Sequence, residues 1–405
     1  MTLHCERALI VVVAGVASIA IAFGWVRKWH RETPTSTIVD NTADVTAILE
    51  RRREDGPPAL PVPAEAAGEP FAKQYGLVRE HLLVDVALTF FPALTASRNV
   101  YDPVVWFVRR PNKAWRRVFS EHHAGGWTVH ANAHGFRGAT EVAEAKPDLR
   151  ILFAGDSQLD GVCADTETIA ERVEWRLSER REGDTVEVLN GAVGAHNPYN
   201  YLGTLERFLA LRPDVFVVFV YGGNDFKGMM PIHRYFHRSP APSLEPISPA
   251  ILREKKDVVG GFAYSELGQL IYFVDNPEDR DVAVETLDKI TRTIRDLCAA
   301  REITLLMVYL PPPLAGNGRM YVDHAPPVLE AVGLAAVDVA MSDTMADAWI
   351  EDAARAEVPV LDLRGPFERA EERLFWDEGH LNLRGNELVA SRVANALQVI
   401  LQDSH

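Results

Sequence analysis

The chain is short of positive charge and of cysteine, and each shortage limits what it can be. Its 42 Lys and Arg are set against 57 Asp and Glu, a formal net charge of -15 over 405 residues. A nucleic-acid binder carries a basic patch or stripe, so no nucleic-acid partner is expected; beyond that the acidic excess speaks mainly to solubility. Only three cysteines occur, Cys5, Cys163 and Cys298. They are too few and too scattered for a disulfide framework or a metal knuckle, and they leave the redox compartment open. The content of 47% hydrophobic and 24% charged residues suits a globular chain rather than a disordered one. The length allows one or two domains.

Long apolar runs are scarce too, with one exception at the N-terminus. Ala8 to Val26 reads ALIVVVAGVASIAIAFGWV without a charge, close to the ~20 apolar residues that cross a bilayer. Trp25 and Trp29 stand where an interfacial aromatic belt would lie. Residues 1–31 are therefore expected to be a membrane anchor. A cleaved signal peptide ending near Ala20-Ile21-Ala22 and a buried core helix are the alternatives. Arg27, Lys28 and Arg31 follow the run, and the positive-inside rule would place the chain after them in the cytoplasm.

Residues 32–75 read as a tether, with Pro57, Pro58, Pro61, Pro63 and Pro70 favouring an extended spacer. Residues 76–148 form a lead-in region carrying Trp106, Trp115 and Trp127. It is expected to pack on the main domain, and it holds no catalytic grouping. From 149 to 402 the pattern becomes regular. Strands are expected at Leu149–Ala154, Val186–Leu189, Val215–Tyr221, Thr304–Leu310 and Val358–Leu363. Helices are expected at Thr166–Arg180, Tyr199–Leu211, Val282–Ala300 and Asn382–Gln402. Alternating strands and helices imply right-handed crossovers and a mostly parallel sheet covered on both faces. The expected fold is thus α/β, a three-layer α/β/α sandwich. Such sheets bind ligands at the carboxyl ends of their strands.

Four groups stand at those places. Gly155-Asp156-Ser157-Gln158-Leu159-Asp160-Gly161 follows the first strand, where a strand-to-helix turn can expose a serine and supply an oxyanion donor. Asn190-Gly191-Ala192-Val193-Gly194 follows the second. Gly222-Gly223-Asn224-Asp225 follows the third, with an amide donor at the sheet edge. Asp377-Glu378-Gly379-His380 precedes the last helix, and a carboxylate beside an imidazole is what a serine nucleophile needs as its base. Taken singly, each also reads as an ordinary turn or helix cap.

In this order the four groups resemble the SGNH hydrolase superfamily over about Leu149 to Gln402. The resemblance implies a flavodoxin-like sandwich with Ser157 as nucleophile and Asp377 and His380 completing a triad. Ser157, Gly194 and Asn224 would form the oxyanion hole. Asn132-Ala133-His134-Gly135-Phe136-Arg137-Gly138, with Lys146-Pro147, is similar to the approach to this motif in exported bacterial members, which implies an extracytoplasmic site. The implied activity is ester hydrolysis on an ester-bearing small molecule or an acylated glycan. O-acyl transfer to an envelope polysaccharide and a non-catalytic binding role remain open. Phe226–Asp281 and Pro311–Glu357 exceed a minimal domain and are expected to shape access. Met229, Met230, Tyr235, Phe236 and Tyr272 read as pocket lining or as core. His233, His237, Asp225 and Asp275 match no ligand template, so neither metal nor cofactor is expected.

Overall fold

The computed structural model describes residues 67–403 apart from 182 and 238–249. The expected anchor and most of the expected tether lie outside the described residues. Among the described residues no single helix is long and apolar enough to cross a membrane. Two compact units are present. The smaller is represented by Arg116–Trp127, in which Trp127 packs edge-on against Phe119 at 5.9 Å between ring centroids.

The larger unit holds the rest. A hairpin of β1 (Asn99–Asp102) and β2 (Trp106–Arg109) pairs antiparallel; the residues of the next two-stranded sheet, β3 (Lys113–Val118) and β4 (Gly126–Ala131), are divided between the two units. The central sheet contains β5 (Leu149–Ala154), β6 (Val186–Asn190), β7 (Val215–Tyr221), β8 (Thr304–Leu310) and β9 (Val360–Asp362). Their order is β6-β5-β7-β8-β9 and every neighbouring pair is parallel. This is a flavodoxin-like order, and it reverses direction between β5 and β7.

Period-two alternation divides the core between the two faces of the sheet. Leu152, Phe216, Val218 and Met307 point to one side, beneath helices Pro198–Phe208, Asp279–Ala299 and Met341–Arg355. Ile151, Phe153, Val217 and Val308 point to the other, beneath Ile169–Arg180 and Leu383–Asp403. Covering both faces explains why these strands are unbroken apolar runs. The lead-in residues Leu82, Phe91, Trp106 and Phe136 belong to the first of these cores. Asp102 on β1 also bonds Arg207 at 2.8 Å, and both side chains are buried.

The two long excursions build a third apolar cluster around Leu252, Leu267, Leu270, Leu314 and Leu329. Met229, Met230 and Phe236 turn out to be core residues beside Phe226, whereas Tyr235 is exposed. Glu266, fully buried in this region, accepts the backbone N–H groups of Leu314 at 2.8 Å and Ala315 at 3.1 Å. Burial nevertheless pushes its carboxyl up to about 8. Between its unfolded range near ~4.3 and about 8, the folded chain holds a proton that the unfolded chain has lost, so this group's contribution to stability falls as pH rises through that window. Glu266→Gln removes the titration. The melting temperature of wild type relative to Glu266→Gln is expected to drop from pH 5 to pH 8 and to level off above; a constant difference would contradict it.

Candidate active site

The order reversal between β5 and β7 opens a crevice at their carboxyl ends. Ser157 opens a one-turn helix, Ser157–Asp160, directly after β5. Asp156 caps that helix, its Oδ1 accepting the Gln158 N–H at 2.9 Å. Asp156 is itself buried, and burial pushes its carboxyl above the usual range, while bonds from the Gln158 N–H and the Asn224 amide pull it back.

Asn224 follows β7. It occupies the N-cap position of helix Asp225–Phe236, yet its side chain makes no capping bond. Its Nδ2 instead donates to Asp156 Oδ2 at 3.1 Å, so the bland reading of Asn224 as a cap does not describe it. The amide has a second hydrogen left to offer. Asp225, next in sequence, accepts the Tyr201 hydroxyl and the Tyr221 N–H at 2.7–3.0 Å.

The turn after β6 brings Gly194 against Ser157. A β-carbon built on Gly194 would lie 3.6 Å from Ser157 Cβ and 3.9 Å from Asp160 Oδ2. Ala195 follows with φ of 74°, a left-handed conformation uncommon outside glycine. The lead-in region braces this part of the site. Arg109 donates to Asp160 Oδ1 at 2.6 Å and to the Ala192 carbonyl at 2.7 Å. Arg137 donates to Asp160 Oδ1 at 3.0 Å, to Asp165 at 2.8 Å and to the Cys163 carbonyl at 2.7 Å. Both guanidinium groups are buried. Neither arginine's role was apparent from the sequence, because partners 51 and 23 residues away leave no local pattern.

His380 completes the group. Its Nε2 lies 2.9 Å from Ser157 Oγ, across 223 residues of sequence. The turn that carries it is closed by Gly379 N–H to the Trp376 carbonyl and Trp376 N–H to the His380 carbonyl, at 2.9 and 2.8 Å. Of the two carboxylates on this turn, Glu378 has Oε1 3.2 Å from His380 Nδ1. Asp377 is 74% exposed and meets Arg373 at 3.2 Å. Sequence spacing singled out Asp377, and Glu378 went unnoticed although it lies inside the same motif.

Ser157, Gly194 and His380 thus stand together at the carboxyl edge of the sheet, with Asn224 joined to them through Asp156. His233 and His237 stack with ring centroids 4.2 Å apart, His233 Nδ1 is bonded to Thr286 at 3.0 Å, and Asp225 is committed to Tyr201 and Tyr221.

Residues 153–388 match the family model for GDSL-like Lipase/Acylhydrolase. No curated protein matches the sequence. Among solved structures, the acetyl xylan esterase AlAXEase is 18% identical, covering 61% of this chain and 99% of its own with a TM-score of 0.36. The psychrotrophic esterase EstA from Pseudoalteromonas sp. is 9% identical, covering 63% and 100% with a TM-score of 0.36. The lipase/acylhydrolase from Enterococcus faecalis is 16% identical, covering 62% and 95% with a TM-score of 0.35. Similarity at that level carries no information on substrate.

Gly379 has φ of 89°, and a β-carbon there would stand 3.3 Å from Ala263 Cα. A side chain in the left-handed region costs about 1–2 kcal/mol. Gly379→Ala is therefore expected to lower the melting temperature and, because it adjoins His380, to slow ester turnover. A variant that melts and turns over like wild type would show the turn to be more tolerant than its geometry implies.

Proposed function

Because the chain belongs to the GDSL-like lipase/acylhydrolase family, whose members are hydrolases acting on esters, we propose that it cleaves an acyl ester with Ser157 as nucleophile and His380 as base. The observation that carries this reading is the 2.9 Å separation of Ser157 Oγ and His380 Nε2 at the family's own motif.

The chemistry follows from the groups present. His380 Nε2 takes the Ser157 proton as Oγ attacks the ester carbonyl carbon. The carbonyl oxygen gains the negative charge and is met by the backbone N–H groups of Ser157 and Gly194 and by the Asn224 amide. The alcohol leaves with the proton from His380, and Ser157 holds the acyl group. Water, deprotonated by His380, then releases the acid. A sugar hydroxyl in place of water would make the same site an O-acyltransferase. Asp156, by gripping one amide hydrogen of Asn224, supports its role as a fixed donor. One such donor is worth ~10²–10³ in kcat.

A carboxylate must hold Nδ1 protonated and aligned. The resemblance implies Asp377; the 3.2 Å approach of Glu378 Oε1 to Nδ1, close but outside hydrogen-bond geometry, favours Glu378. Ser157→Ala and His380→Ala are expected to abolish ester hydrolysis and labelling by a fluorophosphonate probe while the protein stays folded. Glu378→Gln is expected to cost more kcat than Asp377→Asn. Unchanged labelling in Ser157→Ala would reject the nucleophile, and a loss confined to Asp377→Asn would return the orienting role to Asp377.

We also propose that residues 1–31 anchor the chain in a membrane with the hydrolase domain outside the cytoplasm, near acylated glycans. The uncharged run Ala8–Val26 supports the anchor, and the lead-in resemblance supports the orientation. Full-length protein should stay with membranes through carbonate washing, and external protease should reach the domain in spheroplasts. Release into the wash would remove the anchor, and protection from protease would reverse the orientation.

A further inference from the structure

Gln158 follows the nucleophile directly, and the chemistry above makes no use of its side chain. It is 3% exposed, and a buried primary amide is tolerated only when its hydrogen bonds are made. Here they are. Nε2 donates to the Gly379 carbonyl at 3.1 Å, and Oε1 accepts the Leu381 N–H at 2.9 Å.

Gly379 and Leu381 are the two neighbours of His380. One side chain therefore grips the backbone on both sides of the imidazole, while its own backbone N–H is pinned by Asp156 Oδ1 at 2.9 Å. The bonds within the Trp376–His380 turn set the turn's shape but not its distance from Ser157. The Gln158 amide does set that distance, because Ser157 and Gln158 are covalent neighbours. We infer that Gln158 is a positioning residue that fixes His380 Nε2 against Ser157 Oγ, an inference that rests on the serine–histidine reading above. Misplacing a catalytic group by ~1 Å can cost ~10²-fold in rate, so a clamp at this point acts on kcat. A role confined to filling the core would act on stability alone.

The test uses the full-length protein with Gln158→Leu, Gln158→Met and His380→Ala. Hydrolysis of p-nitrophenyl acetate, the rate of fluorophosphonate labelling and the melting temperature are measured for each. Both Gln158 variants remove the two bonds at similar volume. Both are expected to lower kcat and labelling rate by ~10–100-fold with KM within about twofold. Either soluble variant suffices to decide. A kcat within twofold of wild type, while His380→Ala is inactive, would overturn the inference alone. A loss that appears in KM with kcat unchanged would do the same, since the amide would then act on binding and not through the imidazole. Full turnover in His380→Ala would overturn the serine–histidine reading and the inference with it.

Discussion

Strand order is the constraint on which the site depends. In a parallel sheet, neighbouring crossovers on the same side fill the space above the strand ends. Only where the order reverses, between β5 and β7, is a crevice left open. The chain spends its chemistry there: Ser157 leaves β5, Asn224 leaves β7, and the Gly194 turn leaves β6 alongside. The sheet beneath them is apolar on both faces. The polar groups at its rim therefore have few ways to be satisfied except through one another. Asp156 shows the result: one carboxylate both caps the Ser157–Asp160 helix and holds the Asn224 amide after the neighbouring strand.

The lead-in region is bound to this arrangement through charge as well as packing. Arg109 and Arg137 converge on Asp160, at the far end of the Ser157–Asp160 helix. Taking two guanidinium groups out of water is expensive, and their carboxylate partners with several carbonyl acceptors offset that cost. Their value lies in placement, because both arginines also bind backbone carbonyls near the site, Ala192 for one and Cys163 for the other. His196 adds a further tie, its ring bonded to the Phe107 carbonyl on β2 at 2.9 Å.

Much of the fold was legible because burial on both faces writes itself into sequence as short apolar runs. β5, β7 and β8 occupy the expected spans. Ends were read less well. The helix expected from Thr166 starts at Ile169, since Asp165–Glu167 form a tighter turn and Thr168 is the cap. The strand expected from Val358 starts at Val360, after Pro359, which has no N–H to give a ladder. At the site, Ser157, Gly194 and His380, grouped in the sequence by their places along the chain, also stand together in the structure, whereas the nearness of Glu378 to the imidazole left no signal. Gly379 turns the backbone into the left-handed region just before His380, and Glu378 on the same turn has Oε1 3.2 Å from Nδ1. Residue spacing contains no record of it. Gln158 was hidden for a different reason, since its partners are backbone groups 221 and 223 residues away.

The same 223-residue separation between Ser157 and His380 has a consequence during synthesis. At ~5–20 residues per second, a ribosome takes roughly 10–45 seconds to travel from one to the other. Throughout that interval the nascent chain carries Ser157 without the imidazole that meets it in the folded protein. The pairing is made only by late, long-range closure.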